Sequence, residues 1–127
     1  MRAKKVLIAE DNRDGAETLR LVIETWGHCA EAMLDGLQAV QFASSFQPDV
    51  AILDINMPVM NGYTAASLLR DAHPRVLLIA MTGAAPVETP QRAYAAGFHH
   101  HFVKPVDLEA LKSLLSFDAG ERLESGA

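Results

Sequence analysis

Three short apolar runs and one histidine-rich stretch in this chain each end in a side chain that can do chemistry. Val6-Leu7-Ile8-Ala9 runs into Glu10-Asp11, and Val50-Ala51-Ile52-Leu53 runs into Asp54. Residues 76–81 lead to Thr82-Gly83, and the histidine-rich stretch over 99–103, read as a strand, leads to Lys104-Pro105. Three carboxylates, a hydroxyl and an ammonium are the parts of an acidic pocket that binds a hard cation and handles a phosphoryl group. Asp54 by itself reads equally well as a loop cap bonding to backbone N–H groups. What separates the two readings is whether the fold brings the four strand ends together.

The runs lack polar alternation, which is the pattern of strands buried on both faces of a parallel sheet. Helical periods stand between them. Leu19, Val22, Ile23 and Trp26 form the first, opened by an Asp14/Glu17 capping box and closed by Gly27. Asp35-Gly36 opens a second, with Leu37, Val40 and Ala43 inward, ended at Gln47-Pro48. Asn61-Gly62 opens a third after the constrained Met57-Pro58 turn, and His73-Pro74 ends it. Ala93 to Ala96, capped by Gly97, makes a short fourth; Asp107 caps a fifth carrying Leu108, Leu111, Leu114 and Leu115. A mixed stretch from His28 to Met33 reads as an edge strand. Five strands alternating with five helices predict a doubly wound α/β sheet with right-handed crossovers. In the flavodoxin-like strand order 2-1-3-4-5, strands one and three are neighbours and a crevice opens at their carboxyl ends. That order gathers Glu10, Asp11 and Asp54, with Thr82 and Lys104 on the same rim. Five polar groups at four strand ends exceed what capping requires.

Composition bounds the rest. The 127 residues suit one domain, expected over 1–117, with 118–127 a polar tail or the start of a linker. A net charge of −5 argues against nucleic-acid or membrane-surface binding. One cysteine, Cys29, allows no internal disulfide and suits the reducing cytoplasm. The apolar runs are far short of the roughly 20 residues that span a bilayer.

Three adjacent carboxylates cannot all stay ionised without a counter-charge. Oxygen-only ligation from few protein groups suits Mg²⁺ with retained waters. With Mg²⁺ and Lys104 the formal charge is −3 + 2 + 1 = 0, which accommodates an incoming phosphoryl group on Asp54. Thr82 and Lys104 would each meet a phosphoryl oxygen.

Glu10-Asp11-Asn12, Asp54 with Met57-Pro58 and Gly62, Thr82-Gly83, and Lys104-Pro105 together resemble a response regulator receiver domain, from Lys4 to about Ser116. The resemblance implies that Asp54 accepts a phosphoryl group from a histidine kinase phosphohistidine or a phosphotransfer domain. It implies that Asp11 and Asp54 bind Mg²⁺ directly, Glu10 acts through water, and Asn56 offers its backbone carbonyl. Thr82 and Lys104 would read the phosphorylated state. The family often has Tyr or Phe three residues before the lysine as a switch; His101 stands there instead, with Phe102 on the opposite face. The segment 97–107 resembles receivers attached to sensor kinases or other multidomain signalling enzymes, so a covalently attached kinase or output domain is an expected partner, and a monomer or weak dimer the expected state. Lys104-Pro105 is expected to be cis.

Two other readings stand beside this one. A phosphorylation-independent docking module would keep the fold without the chemistry. A small aspartyl phosphatase would use Asp54 as a turnover nucleophile, but has Asn56 where a second acid is usual. His99, His100 and His101 form a weak candidate metal site, since side chains alternate along a strand.

Overall fold

The computed structural model describes residues 3–83 and 90–116. The elements alternate as expected: β1 (Lys5–Ala9), α1 (Arg13–Thr25), β2 (Cys29–Met33), α2 (Gly36–Phe46), β3 (Val50–Asp54), α3 (Gly62–Ala72), β4 (Leu77–Thr82), α4 (Pro90–Ala95), β5 (His100–Val103) and α5 (Leu108–Ser116). All strand pairs are parallel, in the order β2-β1-β3-β4-β5. The expectation for residues 118–127 falls outside the described residues, and α4 starts at Pro90, three residues before the expected Ala93.

The continuous apolar runs are explained by two cores, one on each face of the sheet. Leu7, Ala9, Ala51, Leu53, Leu78 and Ala80 face α2 and α3. Their sequence neighbours Val6, Ile8, Val50, Ile52, Leu77 and Ile79 face α1 and α5. A period of two with both faces covered leaves no polar position inside β1, β3 or β4 until the strand ends. Asp54 continues the parity of Val50 and Ile52, and so projects toward the α1–α5 side of the rim. Thr82 continues that of Leu78 and Ala80, toward the side of α3 and α4. Phe102 packs with the α1–α5 core, while His101, paired with Ala80, faces the other way.

Local signals place most helix starts. Asp35, Asn61 and Asp107 accept from Gln38, Thr64 and Ala110 backbone N–H groups at 2.8, 3.0 and 3.1 Å. The first helix differs from expectation: its N-cap is Asn12, accepting from Gly15 N at 3.0 Å, rather than Asp14. The Glu10 carboxylate holds Asn12 N at 3.2 Å, which turns the chain directly after β1 and starts the helix early. Glu17 therefore pairs forward with Arg20, and the Arg20–Glu24 contact at 3.0 Å extends that face. Trp26 is half-buried against the α1–α5 core rather than a fully enclosed anchor. The second and fifth strands begin one residue later than expected, and the rings of His28 and His99 just before them also bond to the neighbouring strand. Each Nδ1 accepts a backbone N–H of the neighbouring strand's start, Lys4 N and Leu78 N, at 3.0 Å.

His28 is buried, and burial followed by the nearby Lys4 ammonium lowers its pKa. Lys4 itself is buried and donates from Nζ to Leu115 O at 3.0 Å, tying β1 to α5. The neutral ring is favoured in the fold, so its contribution is complete above the ordinary imidazole pKa of 6.5 and is lost as pH falls below that value. His28→Asn keeps an acceptor without the titration, so between pH 7.5 and 5 thermal melts of the wild type should lose a few degrees relative to that variant, about the effect of one buried hydrogen bond.

Candidate functional site

The carboxyl ends of β1 and β3 lie side by side, in the register Ala9↔Leu53. Glu10 and Asp54 are 6% and 4% exposed, whereas Asp11 is open to solvent. Ligand oxygens from these three acids all lie within 4.8 Å of one another, and they form the one such cluster of His, Cys, Asp and Glu among the described residues. The three consecutive histidines do not form one.

Lys104 reaches across from the end of β5. Its Nζ donates to Glu10 Oε1 at 2.5 Å and to Asp54 Oδ2 at 2.6 Å. The other oxygen of Asp54 accepts from Asn56 N at 3.0 Å. Lys104 is placed by its own backbone N–H, bonded to Thr82 O at 2.8 Å, and the Lys104–Pro105 bond is cis, as expected. Thr82 is 1% exposed, and its Oγ1 lies 2.9 Å from His101 Nε2. Thus Glu10, Asp11, Asp54 and Lys104 share one pocket, and Thr82 with His101 forms a polar pair on the adjoining strand ends. Asn56 is exposed beside Asp54, which it contacts through its N–H.

One ammonium does not balance three carboxylates. Glu10 is pushed up to about 7, first by burial and then by Asp54, against the opposing pull of Lys104 and Asn12 N. Burial draws the Lys104 ammonium down, but its bonds to Asp54 and Glu10 outweigh that and its pKa is raised overall. A pocket that holds a carboxylic acid half-neutral near pH 7 has room in its charge balance for a cation. All-oxygen donors, one of them solvent-facing, fit Mg²⁺.

The loop behind Asp54 is tightly backed. Ile55 N donates to Met81 O, and Gly62 N donates to Ile55 O at 2.9 Å. A Cβ at Gly62 would stand 2.6 Å from Asp54 O and 2.8 Å from Ile55 Cα. Gly62→Ala should cost about 1–3 kcal/mol in chemical denaturation and displace the Asp54 carboxylate; an unchanged midpoint would contradict that close approach. Sequence reasoning missed Val59, a β-branched residue at φ 69, inside a turn closed by Met60 N to Pro58 O at 2.7 Å. Nothing in the residue type signals that conformation. It also missed the direct Glu10–Lys104 ion pair. At Gly83 a Cβ would meet nothing within 4 Å among the described residues. A groove of about 470 Å³ adjoins the pocket between α1 and the β5–α5 turn, with Leu19, Val22, Val106 and Leu108 as its apolar wall.

Against known families, the response regulator receiver domain profile matches residues 6–116. The chain belongs to the response regulator receiver family. Among curated relatives, this receiver is 32% identical over 116 residues to the hybrid signal transduction protein dokA of Dictyostelium discoideum, covering 89% of this chain and 7% of that one. It is 35% identical over 120 residues to hybrid signal transduction histidine kinase G of the same organism, covering 88% and 3%. The receiver thus spans a small part of these relatives. Among solved structures it is 31% identical to the signal receiver domain of a modulated diguanylate cyclase from Desulfovibrio desulfuricans G20, with a TM-score of 0.81, covering 97% and 99% of the two chains. The expected flavodoxin-like order and the family are both borne out. No described helix is long and apolar enough to cross a membrane.

Proposed function

We propose that this receiver accepts a phosphoryl group on Asp54 from the phosphohistidine of a histidine kinase or phosphotransfer domain, with Mg²⁺ bound, and that the modified form changes what the domain binds. The observation that carries this reading is the Asp54 carboxylate itself, buried yet shared between Lys104 Nζ and Asn56 N in an acid cluster short of positive charge. In the transfer an Asp54 oxygen attacks phosphorus, the N–P bond of the donor breaks, and the imidazole leaves with its electron pair. The product is an acyl phosphate. Asp11 and Asp54 would hold the metal directly, with the Asn56 carbonyl, and Glu10 through water. The ion supplies charge neutralisation for the phosphoryl oxygens. Lys104 is already at the carboxylate and moves its bond from Asp54 to a phosphoryl oxygen, while Thr82 donates its hydroxyl to another. The formal charge then moves from 0 to about −1. The apolar wall beside the pocket suits a donor helix presenting its histidine over Asp54. The domain belongs in the cytoplasm, as part of a longer signalling protein or beside a separate kinase.

The test is incubation with acetyl phosphate and Mg²⁺ followed by intact mass. One phosphoryl addition is expected with Mg²⁺ and none in excess EDTA. An addition that is equal in EDTA would refute the role of the metal, and no addition in Mg²⁺ would refute the reading.

A further inference from the structure

Thr82 offers a single hydroxyl hydrogen, and the pocket and His101 both have a use for it. The side chain is 1% exposed, and its one partner among the described residues is His101 Nε2 at 2.9 Å. The roles in that bond follow from what each atom would otherwise lose. If His101 donated from Nε2, the buried Thr82 hydrogen would have no acceptor among the described residues, and an unmade buried donor is costly. If Thr82 donates, its hydrogen is satisfied and only an oxygen lone pair goes unused. The resting ring is therefore the Nδ1–H tautomer. No buried side-chain nitrogen or oxygen among the described residues lacks a partner. Nδ1 of the half-buried His101 has no partner among those residues.

A phosphoryl oxygen is a charged and stronger acceptor than an imidazole nitrogen. Once the Thr82 hydrogen turns to it, the lone pairs of Oγ1 and Nε2 face each other at 2.9 Å. A proton on Nε2 removes that conflict. We propose that phosphorylation inverts His101 from its Nδ1–H to its Nε2–H tautomer, so that the ring presents an acceptor at Nδ1 where the resting chain presents a donor. The inference rests on the phosphoacceptor reading above. One N–H bond breaks at Nδ1 and one forms at Nε2; water takes the first proton and supplies the second, and the ring stays neutral. The signal leaves β5 without the ring having to travel. A partner with an N–H or O–H donor aimed at Nδ1 would prefer the phosphorylated form. His101 is in this account a positioning residue for Thr82 as well as the outlet.

The test reads the ring nitrogens of the ¹⁵N-labelled full chain by long-range ¹H–¹⁵N NMR. It is run at about pH 8, above the ~6.5 at which an imidazole titrates, with His101 assigned by comparison with His101→Gln. The resting protein should favour Nδ1–H by about tenfold, the scale of one buried donor left unpaired. Beryllofluoride with Mg²⁺, a stable stand-in for the acyl phosphate, should reverse the ratio. Thr82→Val should abolish the resting excess of Nδ1–H, since no hydroxyl remains to donate. A resting ring already in the Nε2–H form overturns the proposal whatever Asp54 does. So does an unchanged tautomer when ¹⁹F NMR shows beryllofluoride bound to the wild type and not to Asp54→Asn, and in that case the phosphoacceptor reading stands. Failure of Asp54 to take any group overturns both.

Discussion

Asp54→Asn is expected to abolish phosphoryl acceptance while leaving the domain folded. The amide keeps the volume and an oxygen for the Asn56 N–H, now 3.0 Å from the carboxylate, but lacks the charge and nucleophilicity that form an acyl phosphate. Lys104 loses one of its two anionic partners and keeps Glu10 at 2.5 Å. Asp54 is one of the groups raising Glu10, both through their bond and through its charge. The Glu10 carboxyl should therefore titrate clearly below its value of about 7 in the variant. Intact mass after acetyl phosphate treatment checks the first outcome, and an NMR titration of the glutamate carboxyls checks the second. A mass gain that survives the substitution means another residue is the acceptor.

Asp11→Ala should weaken Mg²⁺ binding more than Glu10→Gln does. Loss of an outer-sphere partner commonly costs about 10–100-fold in metal affinity, and loss of a direct ligand should exceed that. If the cluster binds Mg²⁺ as proposed, the exposure of Asp11 beside two buried acids would make it the carboxylate an ion meets first. Protons compete with the metal at Glu10, so affinity should fall as pH drops below about 7, by no more than ~10-fold per unit for one proton. The stability sign is opposite in the metal-free chain. Glu10 is raised above its ordinary 4.5, so the fold favours the neutral acid; that contribution is full below 4.5 and is lost as pH rises through about 7. Melting temperatures at pH 6 and 8 should show Mg²⁺ stabilising the protein much more at pH 8. Equal stabilisation at both, or equal Mg²⁺ affinity for the two variants, would contradict this placement of the acids.

What was legible in the residues is what the backbone enforces. Unbroken apolar runs end where the strands leave the two-sided core for the rim, so the strand-terminal positions of Glu10, Asp54 and Thr82 followed from Val6–Ala9 and its two counterparts, although all three side chains are buried at that rim. Alternating strands and helices then left few topologies. The cap of α1 was misread because Asn12 and Asp14 both suit that role, and the choice is made by a tertiary contact, Glu10 to Asn12 N. The two histidines bonded to Lys4 and Leu78 were invisible for the same reason: a ring acting as a strand's hydrogen-bond partner has no period. His101 could be placed by comparison with the family, but its bond to Thr82 depends on side-chain direction across two strands. Val59 at φ 69 violates local preference outright, and with the residue 77% exposed no packing pattern in the sequence could have signalled it.

The central claim is that the phosphoryl group sits on the Asp54 carboxylate as an acyl phosphate. Acyl phosphates react with hydroxylamine to give a hydroxamate on the carbon that carried the phosphoryl, which marks the residue permanently. Wild-type protein treated with acetyl phosphate and Mg²⁺, then hydroxylamine, should yield one modified peptide with the mark on Asp54. The mark should disappear when the phosphodonor or Mg²⁺ is left out. A mark on Asp11 or Glu10, or a phosphoryl group that resists hydroxylamine, would contradict the account.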